Sequence, residues 1–437
     1  VQNRKQYITL SLVFLAIIGI PAIQTLTRVL PEIPLNGVSA QKPLPDLTVA
    51  NWMQFRYQPE FNKRVEQTFG FRPAFVRLYN QADYSLFRQP HGSGVVIGKE
   101  GYLYEEWFIT AYYGLDYIGK DRITQKVKQL KRLRSYFRKM GKEMVIMIAP
   151  GKAAFYPEFI PDRWKDSLRI TNYDAMTEGI IESGIPLLDF NKYFLAIKDS
   201  SGCPIFPRTG THWSHYAARL AADSLSGYLS GLLQRPLPDF RLGPAIPSDT
   251  LVYPDNDLEK LLNLFLPLPQ NPLCYPEVIS EPEAGFSLPS AIVIGDSFFW
   301  ELFNLPLKGR IFSEVKFWYY NSTVFPDSET DSVRTTDLKF PDALLNTDLI
   351  ILQANRSNIH NIGWGFQDRV VGQLIDPAWQ LEYDKMVREY IQAIHNTPEW
   401  EQKVIRDASD KGIPTDSMIK LNAIYMVEQY LLNNDLF

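Results

Sequence analysis

The stretch YITLSLVFLAIIGIPAIQTL, from Tyr7 to Leu26, carries no charged side chain. As a helix rising 1.5 Å per residue it is about 30 Å long, the thickness of the hydrocarbon layer of a bilayer. A helix that is apolar all round belongs in lipid or in the centre of a large core, so the segment is expected to span a membrane. Arg4 and Lys5 precede it, while Arg28 behind it is soon offset by Glu32. Basic flanks stay on the cytoplasmic side, which puts residues 1–6 in the cytoplasm and the rest of the chain outside. The run is long for the apolar part of a cleaved leader, and no small-x-small cleavage site follows it. An uncleaved single-pass anchor over 7–26 is the expectation, a cleaved leader the alternative.

With 437 residues the chain has room for two or three domains, or for one large α/β domain with additions. Hydrophobic residues make up 45% and aromatics 13%, enough for a packed core, and a net charge of -4 gives no support for a nucleic-acid partner. Two cysteines, Cys203 and Cys274, sit in the proline-containing stretches GCPIFP and NPLCYPE. In an oxidising exterior they would form one disulfide, and two separate thiols are the alternative. Without a C-x-x-C pair, and with five histidines in all, a structural zinc site is not expected.

Residues 27–50 are rich in proline and polar side chains and read as a linker. Helical periodicity appears between Asn51 and Phe87, and GVVIGKEGYLY alternates like a hairpin turning at Gly98 to Gly101. A helix opened by Asp121 carries Ile123, Val127, Leu130, Leu133 and Phe137 on one face and ends at Gly141. Its other face is basic, from Lys126 to Lys139; it is read as solvated, with contact to an anionic glycan or lipid headgroups as the alternative. EMVIMIAP (143 to 150) is a continuous apolar run of the kind buried on both faces of a parallel sheet. IPLLDF, AIVIG, EVKFWYY (314 to 320) and TDLIILQA (347 to 354) supply further strands alternating with helices. The expected fold is therefore α/β, a parallel sheet between helices over 51–378, followed by a helical C-terminal extension over 379–437.

Two short stretches carry chemistry. AIVIGDSFFW (291 to 300) runs from a buried strand straight into a turn holding Ser297. An ordinary strand-to-helix connection capped by Asp or Ser looks the same. The alternative is a nucleophile presented at the carboxyl end of a strand, where α/β sheets build their sites. The choice depends on a base. FPRTGTHWSHYAARLAADSL (206 to 225) places His212 in a polar turn just before a helix, where it can serve as general base toward Ser297. His212 with His215 also makes H-x-x-H, but no further metal ligands stand near it in the sequence. For the oxyanion, the N–H of Ser297 and the side chain of Asn355 are candidate donors, with turn formation as the other use for an asparagine after a strand.

In order along the chain, FGFR, VVIGKEGYLY, IAPGKAAFYPEFIP, GTHWSHYAA and VIGDSFF resemble the alginate O-acetyltransferase group of SGNH-hydrolase-like proteins, over roughly Asn51 to Arg356. The histidine block precedes the serine block, as in that group. The resemblance implies an SGNH-hydrolase-like three-layer α/β/α domain and acetyl transfer to a polysaccharide through an acetyl-Ser297 intermediate, with His212 as base. It also implies an extracytoplasmic, periplasmic position on a bacterial inner membrane, a multi-pass membrane-bound O-acyltransferase as partner, and no cofactor or metal. In one place the match fails: the family carries an aspartate two residues before the histidine, and Gly210 stands there. Asp189, at the end of IPLLDF, is the expected substitute; a Ser-His dyad completed by a backbone carbonyl and an inactive scaffold are the alternatives. Two other functions fit the same motifs, an anchored esterase or deacetylase and a non-catalytic glycan-binding or scaffold subunit.

Overall fold

The computed structural model of the chain describes residues 2–37, 43–279, 285–326, 332–338, 343–344, 346–370 and 377–433. Residues 38–42 of the expected linker, 280–284, and 434–437 of the C-terminal extension lie outside these. Two compact units are present, Val1–Ile97 with Asp257–Pro269, and Gly98–Asn256 with Gln270–Phe437.

In the first unit, helix α1 (Gln2–Thr27) contains the uncharged stretch, and Arg4–Thr27 is long and apolar enough to cross a membrane. Its C-terminal end is closed by Gln24, whose Nε2 donates to the Leu30 carbonyl and to Glu32. Helices Tyr57–Thr68 and Arg72–Phe87 follow in the region of helical periodicity.

The second unit is organised by a sheet that is seven-stranded among the described residues. In chain order the strands are β1 (Glu143–Ala149), β2 (Leu187–Asp189), β3 (Ser290–Gly295), β4 (Glu314–Tyr319), β5 (Thr323–Phe325), β6 (Val333–Arg334) and β7 (Leu349–Asn355). Across the sheet the order is β6-β5-β4-β3-β7-β1-β2. The five strands from β4 to β2 are parallel, and β5 and β6 extend the sheet antiparallel at one edge. The apolar runs of the sequence form its centre: β1, β3 and β7 are buried along nearly their whole lengths.

Side chains alternate across a strand. Ile146, Ile148, Ile292, Ile294, Ile350 and Leu352 pack against helices α2 (Lys120–Lys139) and α3 (Asn172–Glu182), through Leu130, Leu133, Phe137, Met176 and Ile180. Their alternates Val145, Met147, Val293 and Ile351 are equally buried, so both faces of the sheet are covered. This is the α/β architecture of an SGNH-hydrolase-like domain. Helix α4 (His215–Leu232) buries a stripe of Ala217, Ala218, Ala221, Leu225 and Leu229.

The C-terminal extension is helical, as expected. Helices α5 (Pro377–Asn396), α6 (Pro398–Lys411) and α7 (Thr415–Asn433) enclose a small core of their own, built on Ile394, Val404, Ala408, Ala423 and Val427.

Candidate active site

β3 delivers the serine. It ends at Gly295, whose missing Cβ leaves the space that the Gln353 side chain from β7 occupies. Gln353 then grips the next residue twice: the Asp296 N–H donates to its Oε1 (2.9 Å), and its Nε2 donates to Asp296 Oδ1 (2.9 Å). Asp296 is buried and also accepts from the N–H groups of Phe298 (3.1 Å) and Asn355 (2.6 Å). Burial pushes its carboxyl above the usual range, against the pull of these donors and of His212. The aspartate of the GDS turn is thus a strut between β3, β7 and the turn Ser297–Phe299, and it holds Ser297 half-exposed at the carboxyl rim of the sheet.

The histidine arrives from a loop clamped on both sides. Behind His212, Trp213 is buried and its indole N–H donates to the Phe298 carbonyl (3.0 Å). Ser214 caps α4 by accepting from the Ala217 N–H and donates to the Pro204 carbonyl (2.7 Å). Ahead of it, Lys152, buried at the end of β1, donates to the carbonyls of Arg208 (2.9 Å) and Gly210 (2.6 Å), with its ammonium over the rings of Tyr102 and Tyr104. The result is that His212 Nε2 lies 2.9 Å from Ser297 Oγ, across 85 residues of sequence. A nitrogen at that distance is placed to take the hydroxyl proton. The His212 ring also rests on Phe298, 4.8 Å between centroids. His215 points elsewhere, with its Nε2 3.3 Å from the Tyr253 carbonyl.

The structure brings together Ser297 and His212 and assigns different work to the other two expected residues. Asp189 does not stand behind His212. It caps the helix Phe190–Ala196 by accepting from the Lys192 N–H (3.0 Å), and it accepts from the Tyr173 hydroxyl (2.6 Å). Its strand β2 is separated from β3 by β1 and β7, and three strand spacings amount to about 14 Å. Asn355 is fully buried and is turned into the fold rather than toward an oxyanion. Its Nδ2 donates to the Pro150 carbonyl (2.6 Å) and its Oδ1 accepts from the Ser357 N–H (2.9 Å). Both stand at strand ends, and each is engaged there by a turn N–H and by a group from another element, Tyr173 for Asp189 and Pro150 for Asn355.

Tyr320 was not expected in the site. The strand pairing that aligns Gly295 with Tyr319 carries it to the rim, where its N–H donates to the Gly295 carbonyl (2.8 Å). Its backbone is left-handed, φ 48°, an unusual conformation for an aromatic residue. The ring stands edge-on to Trp364, 5.1 Å away. Burial, with Asp296 nearby and against the pull of Ser297, pushes its hydroxyl up to about 12, so it stays a neutral hydroxyl. The loop also carries a disulfide, Cys203–Cys274, which fastens the chain before His212 to the strand Leu273–Cys274.

A strand-end serine bonded to a histidine from a separate loop, on a mostly parallel sheet, fits the SGNH-hydrolase-like class. Residues 95–258 match the family model described as an SGNH hydrolase-like domain, acetyltransferase AlgX. The matched segment includes His212 and stops short of Ser297. Among curated proteins, the "Probable alginate O-acetylase AlgJ" of Pseudomonas syringae pv. tomato is 28% identical over 155 residues, 36% of this chain and 38% of that protein. The protein of the same name in Pseudomonas aeruginosa is 27% identical over 215 residues, 48% and 50% of the two chains. The chain thus spans half or less of the length of these relatives. Among solved structures, the O-acetyltransferase domain of Pseudomonas putida AlgJ superposes with a TM-score of 0.42 at 16% identity, over 62% of this chain and 93% of that one. Pseudomonas aeruginosa AlgX gives 0.41 at 13% identity, over 64% and 68%.

Proposed function

We propose that the chain is a membrane-anchored, extracytoplasmic O-acetyltransferase that moves an acetyl group through Ser297 onto a polysaccharide hydroxyl. The observation that carries this reading is the 2.9 Å approach of His212 Nε2 to Ser297 Oγ. The match of residues 95–258 to an acetyltransferase AlgX model and the names of the curated relatives support the reaction and the acceptor class, and the length and apolar composition of α1 support the anchor. In the first half-reaction His212 takes the Ser297 proton as Oγ attacks the acetyl carbonyl, and the Ser297 N–H at the head of the turn faces the developing oxyanion. The donor's leaving oxygen departs with the proton from His212, leaving acetyl-serine. A sugar hydroxyl, deprotonated by the same nitrogen, then attacks the ester, and the proton returns to Ser297. A multi-pass membrane-bound O-acyltransferase is the partner that would bring the acetyl group across the membrane to this site.

The test is acetyl capture by the full chain in membranes, read as an acetyl ester on the Ser297 peptide by mass spectrometry and as ester content of the cell's polysaccharide. Ser297→Ala is expected to lose both, a fall of about 10⁴-fold or more in rate, while staying folded and membrane-bound. Undiminished polysaccharide acetylation in that variant defeats the reading.

A further inference from the structure

We propose that Asp255 is the carboxylate that orients His212, accepting from its Nδ1–H, so that this chain carries its third member on a different loop from the rest of the family. The inference rests on the reading of His212 as the base for Ser297.

With Nε2 turned to Ser297, the other ring nitrogen is the one left for an orienting acceptor. Gly210 stands two residues before His212, at the position where the family resemblance implies an aspartate. Here that space is already filled. A Cβ on Gly210 would lie 2.6 Å from the Asp255 carbonyl oxygen and 2.9 Å from its carbonyl carbon. The backbone that excludes a side chain at 210 therefore belongs to a residue with the same carboxylate. Asp255 is 1% exposed, and a carboxylate is buried to that degree only where charge and hydrogen-bond partners meet it.

Its placement is supported from behind. The Tyr275 hydroxyl donates to Asp255 Oδ2 at 2.8 Å, and Tyr275 follows directly on Cys274, whose disulfide to Cys203 ties it to the loop that carries His212. The arrangement matches one carboxylate oxygen held by a phenol and the other turned to an imidazole. The charged groups nearby are Arg219, drawn by Glu301 and by Asp255, and His215, whose Nδ1 is 3.7 Å from Glu301. Other buried carboxylates of the region have other work: Asp296 serves the serine turn, Glu301 faces Arg219 and His215, and Asp189 stands three strands away.

The position is tested on the full chain in detergent with isotope-labelled histidine, by following the His212 ring through pH. Losing a neighbouring carboxylate lowers an imidazole pKa by about one unit or more, so Asp255→Asn is expected to move the His212 titration down by that amount. The acid limb of the acetyl-transfer rate should move with it. The same variant keeps an acceptor for Tyr275 and is expected to lower kcat by about 10² to 10⁴-fold with little change in KM, and Asp255→Glu should recover part of the loss. Asp189→Asn should leave the His212 titration in place. An unmoved His212 titration in Asp255→Asn, or a kcat within about threefold of the unsubstituted chain, overturns the assignment. If Asp255→Asn does not fold, the unsubstituted chain decides: a low-field Nδ1–H proton on His212 marks a carboxylate acceptor, and its absence overturns the proposal. The titration needs no acetyl transfer. A shifted His212 in a chain that never acetylates Ser297 would therefore sink the proposed function alone, while an active enzyme indifferent to Asp255→Asn would sink this inference alone.

Discussion

The carbonyl oxygen of Asp255 stands 2.6 Å from the point at which a Cβ on Gly210 would begin, and Pro207 Cγ closes the same space at 2.7 Å. The obstacle at 210 is main chain, which cannot swing aside as the end of a side chain can. Gly210→Ala is therefore expected to destabilise the protein by about 1–3 kcal/mol, and Gly210→Asp by more, since it adds a second buried carboxylate. Neither substitution should raise activity. Urea denaturation monitored by tryptophan fluorescence checks the first expectation, and acetyl-transfer rates the second; a stable and faster Gly210→Asp chain would mean that the 253–255 loop yields.

Tyr320 is fixed at the rim that presents Ser297 by its N–H on the Gly295 carbonyl, and its phenol is expected to reach the acyl oxygen of a group carried on the nucleophile. A neutral hydroxyl there can donate to the negative charge that forms on that oxygen, and donors of this kind are worth about 10²-fold or more in kcat. Tyr320→Phe keeps the ring and its contact with Trp364 and removes only the oxygen. It is expected to lower kcat of the chain by about 10 to 100-fold, with KM and the unfolding midpoint little changed. Steady-state kinetics with a small acetyl ester would show this, and a larger effect on KM than on kcat would give the phenol a binding role instead.

Ser297 and His212 were legible in the sequence because each belongs to a short local pattern, a buried strand breaking into GDS and a histidine set before an amphipathic helix. The central strands were legible for a similar reason: β1, β3 and β7 lie buried on both faces and carry apolar runs, EMVIMIA, AIVIG and LIIL. What escaped was whatever depends on distant chain. Asp255 sits in a proline-rich span with no period, and only the fold brings it against Gly210. Tyr320 reads as the last residue of EVKFWYY, whereas β4 ends at Tyr319 and the next residue turns left-handed. Asp189 and Asn355 read as strand-end residues, yet nothing in the sequence says that Tyr173 and Pro150 reach them first.

The disulfide Cys203–Cys274 closes a loop over a separation of 71 residues. By the loop-entropy argument a closure of that size is worth about 4 kcal/mol. Here it also pins Tyr275 beside the loop of His212. Replacing both cysteines by serine is expected to lower stability by an amount of that order and to reduce kcat as well, because Tyr275 holds Asp255. Denaturation curves with and without a reducing agent provide the check: reduction should destabilise the native chain and leave the double-serine chain unchanged.

Two partly buried histidines make the fold sensitive to mild acid. Burial holds both His360 and His215 below the usual imidazole range; Lys126 adds to this for His360, against the pull of Asp116, and Arg219 adds to it for His215, against the pull of a backbone bond to Tyr253. Asn172 Nδ2 faces His360 Nδ1 at 3.4 Å, an arrangement suited to the neutral ring. In the unfolded chain these histidines take up protons near pH 6.5, while in the folded chain they do so only at lower pH. Below about pH 6.5 the unfolded state therefore binds more protons than the native state, and stability must fall as pH falls. The contribution is fully present above that pH and is lost on the way down through the window between the two states' pKa values. Other groups titrate in the same range, so the informative quantity is a difference. The urea midpoint of the unsubstituted chain, measured from about pH 7.5 to about pH 5.5, should drop more steeply than that of His360→Gln, whose side chain has no proton to gain. Parallel curves for the two chains would show that His360 takes up its proton as readily when folded as when unfolded, contrary to its burial.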